Sequence, residues 1–129
     1  MSRHSLFRDR SWARKFRDAF RGVKEGIRGQ SSFRGHFFAA GAVIAAATAL
    51  GASLTEWCLL LLCTTVVLTA EMLNSALESM AKAVTREHDP HVGNALDIGS
   101  AAVLLASMGA AIVGALVFVR RLGILLGWW

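Results

Sequence analysis

The sequence predicts an all-α integral membrane protein, with three transmembrane helices preceded by an amphipathic helix on the membrane surface. Three observations carry that prediction. Apolar residues make up 54% of the 129 residues and gather into three long blocks. The segment before the first block repeats apolar residues at three- and four-residue spacing, with basic residues on the other face. The second block runs into an acidic stripe, a feature that a lipid-facing helix tolerates only where the acids have a task. The length suits a single membrane domain, residues 1–129, and no linker, repeat or low-complexity stretch divides it.

Residues 1–10 read as a loose polar tail. The surface helix is expected over 11–29, where Trp12, Phe16, Ala19, Phe20, Val23 and Ile27 form one face and Arg14, Arg17, Arg21, Lys24 and Arg28 the other. Its glycines do not make a phosphate loop, because no strand precedes them and no GxxxxGK[ST] is present. Gln30, Ser31 and Ser32 should break this helix. The first transmembrane helix is expected over 33–50, rich in Ala and Gly, with Arg34 and His36 near its start.

Residues 51–56 form a short turn in which Ser53 can cap the next helix, with Glu56 completing a capping box. The second transmembrane helix is expected over 57–80. The segment 81–93 is polar, with Pro90 marking a break. His88 and His91 belong to a solvated loop, since no Cys or third His stands near them. The third transmembrane helix is expected over 94–119, opening with Asn94 and an acid, Asp97, that should be buried. Ala102, Ala106, Ala110 and Gly114 give it a ridge of small side chains suited to close helix packing. The last ten residues end in two tryptophans fit for a membrane interface.

Charge placement orients the chain. Ten Lys/Arg lie in residues 1–36, two more are Lys82 and Arg86, and two are Arg120 and Arg121. Twelve against two puts the N-terminus and the 82–93 segment on the cytoplasmic side of the membrane. The partner of this basic surface is anionic lipid rather than nucleic acid. Cys58 and Cys63 match no metal or redox spacing and read as small buried hydrophobes. The first apolar block begins after a basic segment of more than thirty residues, unlike a signal peptide.

The stretch Ala70–Met80, AEMLNSALESM, carries the chemistry. At ~100° per residue, Glu71, Asn74, Ser75 and Glu78 fall within an arc of about 100°. Counted from Trp57, Glu71 is about 21 Å and Glu78 about 31 Å along the axis, against a hydrocarbon core of about 30 Å. Glu71 then lies below the surface and Glu78 at the water boundary. A Mg²⁺ held near Glu78 and a base at Glu71 would suit phosphoryl transfer from a nucleotide to a membrane alcohol.

The same residues carry a resemblance. Glu71-x-x-Asn74-Ser75-Ala76-x-Glu78 resembles the signature of the small bacterial diacylglycerol kinases, which include the undecaprenol kinases. Supporting matches are Phe16-Arg17-x-Ala19-Phe20-x-Gly22, Phe33-Arg34, and Ala95-x-Asp97-x-Gly99-Ser100-Ala101-Ala102-Val103. The resemblance implies a homotrimer of three-span subunits, with ATP as co-substrate, Mg²⁺ as cofactor and diacylglycerol or undecaprenol as the lipid alcohol. It implies Glu71 as catalytic base, bound to the substrate together with Ser75. It implies Glu78 as a metal ligand, and Asn74, Asp97 and Arg17 as ATP contacts.

Three positions depart from the family pattern: Gln30 stands for a metal-binding Glu, Leu96 for a Lys, and Lys82 for an Asp. Gln30 can still offer Mg²⁺ an oxygen, and Lys82 can supply the ATP phosphates with the cation that Leu96 lacks. The alternative is a non-catalytic trimeric membrane protein on the same scaffold. A channel lined by Glu71 and Asp97 is a weaker third reading, because the first apolar block offers no matching polar stripe.

Overall fold

The computed structural model describes residues 11–28 and 31–129, so the expected tail and Gln30 lie outside the described residues. The described chain is all-α, with α1 over Trp12–Arg28, α2 over Ser31–Ala49, α3 over Leu54–Val84 and α4 over Pro90–Leu125.

The expected three transmembrane helices are corrected to two, among the described residues, that are long and apolar enough to cross a membrane, α3 with 31 residues and α4 with 36. The apolar part of α2, Phe33–Ala49, is shorter. Its 17 residues rise only about 25 Å against a core of about 30 Å. The homotrimeric bundle expected with those three spans has no support in this single-chain structure. Two helix boundaries also depart from the reading above. Ser31 and Ser32 start α2 instead of separating two helices. Pro90 starts α4 instead of breaking the chain before it, because a first-turn position needs no N–H donor. Asp89 caps that start, its Oδ1 accepting from the His91 and Val92 amides at 2.8 and 3.2 Å.

α3 and α4 pack along each other, and α2 and α1 each rest on α3. Between α2 and α3 the chain reverses at Gly51, whose φ of +68° favours glycine. The capping box forms as read from the sequence. The Ser53 amide donates to Glu56 Oε1 at 3.0 Å and the Glu56 amide to Ser53 Oγ at 3.2 Å. Close to this turn Ala47, Leu60 and Val117 are buried together, with Val43, Trp57 and Phe118 packed on them. Arg121 of α4 donates through Nη2 and Nε to the carboxylate of Glu56, tying the start of α3 to the end of α4. We call this the far end, and the Thr85–Asp89 connection the near end.

Most large apolar side chains point outward. Leu105 is 70% exposed, and Leu61, Leu104, Ile112 and Leu116 are similarly open. So extensive an apolar exterior is suited to lipid and unsuited to water. On α1, Trp12, Phe16 and Phe20 form an exposed apolar row beside basic residues, as on a helix lying in a membrane interface.

Candidate functional site

The inward face of α3 runs Leu60, Val67, Glu71, Asn74, Ser75. Beyond the buried Glu56 at its start, its far half buries aliphatic side chains and its near half buries polar ones. Glu71 is only 4% exposed, and Asn74 and Ser75 are also buried. A carboxylate so placed needs partners, since desolvating an isolated charge is far costlier than any single packing contact returns. One partner comes from α2: His36 Nε2 lies 3.3 Å from Glu71 Oε2. Ser75 Oγ donates to the Glu71 carbonyl at 3.0 Å, so this hydroxyl is engaged with its own helix.

Asn74 stands between Glu78 and α4. Its Nδ2 donates to Glu78 Oε1 at 3.3 Å. Its Oδ1 is buried and accepts no hydrogen bond. That oxygen faces Gly99 of α4 so closely that a Cβ there would sit 2.5 Å from it and 2.9 Å from Leu77 Cδ1. Gly99 is therefore what lets α4 approach the polar stripe.

Glu78 is half-buried at the rim of a cleft of about 430 Å³ at the near end. The same cleft is lined by Lys82, Arg86, Glu87, His88 and Asp89, and by Leu96 from α4. The structure thus brings Glu71, Asn74, Ser75 and Glu78 onto one face, and Glu78, Lys82 and Leu96 around one cleft. Asp97 is exposed rather than buried and is not part of the cleft lining. It follows Leu96 and precedes Gly99 by two residues, about 200° of helix, so the face that meets α3 is not its own. Arg17 is exposed on α1 and is likewise not part of that lining. Gln30 lies outside the described residues.

His36 is the residue whose place at the site sequence reasoning missed. The signal was available: an ionisable side chain inside an apolar segment is a functional candidate by default.

Among the described residues no three His, Cys, Asp or Glu side chains cluster as a metal cage. Mg²⁺ does not require one, since it commonly takes one or two carboxylates together with substrate phosphates. Among the described residues, Glu78, Glu87 and Asp89 stand around the cleft beside two fixed cations, Lys82 and Arg86. Such a lining repels a bare polyphosphate and suits one that brings a divalent ion, so the donor set fits a metal bound jointly by protein and phosphate.

Comparison with known proteins agrees with this chemistry. The family model described as prokaryotic diacylglycerol kinase matches residues 17–118. An undecaprenol kinase of Bacillus subtilis is 30% identical over 109 residues, covering 84% of this chain and 89% of the relative. A diacylglycerol kinase of Synechocystis is 38% identical over 100 residues, covering 77% of this chain and 57% of that longer relative.

Proposed function

The chain belongs to the prokaryotic diacylglycerol kinase family, and from that premise we propose that it transfers the γ-phosphate of ATP to the hydroxyl of a membrane lipid, diacylglycerol or undecaprenol. One observation supports this reading above the others. A buried carboxylate, Glu71, shares a helix face with Glu78 at the rim of a polar cleft. The seven-residue step from one to the other rises about 10 Å. The deep group can reach a hydroxyl held at membrane depth, while the cleft is open to a water-soluble nucleotide.

In this reading the Glu71 carboxylate accepts the lipid hydroxyl proton as the lipid oxygen bonds to the γ-phosphorus and the bond to ADP breaks. Glu78 would hold Mg²⁺, with the Gln30 amide oxygen as a second donor. When bound, that ion neutralises phosphate charge. Lys82 would approach the phosphates from α3, opposite Leu96 in the same cleft. Asn74, Asp97 and Arg17 are the further proposed nucleotide contacts, and Ser75 a substrate contact beside Glu71. The Lys/Arg bias supports a cytoplasmic near end, with α1 on that membrane face.

The uncharged Leu96 in the cleft wall favours a second reading, a membrane protein of this family without catalysis. Incubating the full chain in lipid–detergent micelles with γ-labelled ATP and a panel of lipid alcohols separates the two. Label in diacylglycerol or in undecaprenol is the expected result and names the substrate. No Mg²⁺-dependent label in any lipid would refute the kinase reading.

A further inference from the structure

The kinase reading above leaves His36 without a role, although this side chain from another helix comes within ion-pairing distance of Glu71. Its own side chain is 24% exposed against 5% for that of Glu71, so the contact is largely closed to solvent. His36 also lines a second cavity, of about 380 Å³, between α2, α3 and α4. The rest of that cavity is mostly apolar, with Ala40 and Val43 from α2, Leu60 and Val67 from α3, and Ala110 and Gly114 from α4. The imidazole therefore stands where an apolar space meets the buried carboxylate.

We propose that His36 is a positioning residue for the reaction, its Nε2–H turned to Glu71 Oε2 so that the carboxylate is held toward a lipid hydroxyl. This rests on the kinase reading for the identity of the reacting group, but the pairing itself does not. The separation of 3.3 Å is long for a hydrogen bond, and contacts of this kind commonly tighten only when substrate is bound. The chemistry of the side chain suits the place. A neutral imidazole can donate to the carboxylate without adding a permanent charge inside the membrane. A fixed cation would stabilise the carboxylate against the proton uptake that a general base must perform. Along their own helices, the nearest charged residues are Arg34, two residues before His36 on α2, and Glu78, two turns beyond Glu71 on α3. The α4 side of the cavity contributes Ser107, Phe118 and small apolar residues, none of them titratable.

The test uses the full chain with His36→Leu and His36→Gln, the second keeping an N–H donor. In wild type, the leucine variant should lower kcat by about tenfold or more, less than the about 10²–10⁴ that removal of a general base costs. KM for ATP should stay unchanged, and glutamine should recover most of the loss. A purely structural role predicts instead that kcat and KM change together and that glutamine and leucine behave alike, which would overturn the proposal. An independent readout needs no turnover. In histidine-labelled protein in micelles, the imidazole N–H signal that His36→Gln removes should shift on Glu71→Gln and be unmoved by Glu78→Gln. No shift on Glu71→Gln would overturn the pairing, and with it the proposal. A shift in a chain that labels no lipid would refute the kinase reading while upholding the pairing.

Discussion

At the scale of single residues, two acids on one face are expected to fail in different ways. Glu71→Gln should abolish lipid phosphorylation, by about 10²–10⁴ in rate, with ATP binding retained. Glu78→Gln should instead raise the Mg²⁺ concentration needed for half-maximal nucleotide binding, followed by titration calorimetry. Near-normal turnover by Glu71→Gln would remove it as the base. Gly99→Ala places a methyl group against Asn74 Oδ1 and Leu77. Leu77 is partly exposed and can turn aside, but Asn74 is buried and cannot yield freely, so the substitution should cost about 1–3 kcal/mol, measured by thermal unfolding in micelles. The stripe itself was legible in the sequence, because four polar side chains inside an apolar run declare their common face through helical periodicity alone. Asp97 was misjudged as buried for the opposite reason. Periodicity on α4 shows which residues share a face but not which face turns to α3, and there a glycine marks the contact. His36 was visible as a polar residue, yet nothing local says that α2 brings it to Glu71.

At the scale of elements, the Lys82 and Leu96 substitutions act across the α3–α4 cleft. Lys82→Ala should raise KM for ATP, and adding Leu96→Lys should restore it, since both side chains line the same space. An unchanged ATP dependence in Lys82→Ala would dismiss Lys82 as the phosphate cation. At the other end, Ser53→Ala removes half of the capping box and should cost about 1 kcal/mol. Arg121→Leu should lower the unfolding midpoint more than the Glu56→Gln/Arg121→Leu pair does, because the single change leaves Glu56 without its α4 partner. The start of α3 could be read from Ser53 and Glu56 because a cap is a local pattern. Its tie to α4 could not, because Arg121 follows Glu56 by 65 residues and resembled an ordinary basic residue at the end of an apolar segment.

At the scale of the whole molecule, the apolar exterior and the placement of charge make one topological prediction. With Cys58 and Cys63 replaced, a single cysteine at Thr85 should react with a membrane-impermeant thiol reagent only from the cytoplasmic side. A cysteine at Ala52 should react only from the opposite side. Reaction of Thr85→Cys in intact cells would reverse the orientation. The all-α character was legible because apolar blocks of this length have no other use. The number of crossing helices was overcounted because an Ala- and Gly-rich block such as Phe33–Ala49 has the composition of a span without its full length.

The tie between Glu56 and Arg121 has a consequence for how such a chain can change over generations. It fastens α3 to α4 at the end away from the cleft, beside the aliphatic packing of Ala47, Leu60 and Val117. Variation around the cleft then alters chemistry without loosening the helix pair. Under random mutagenesis with separate selections for abundance and for turnover, the losses should sort by depth in the membrane. Variants at the far end should disappear from the membrane fraction, whereas variants around Glu78, Lys82 and Leu96 should accumulate normally and differ in what they do. A lineage on this scaffold is thereby free to exchange cations and acids at one pole while inheriting the other almost untouched.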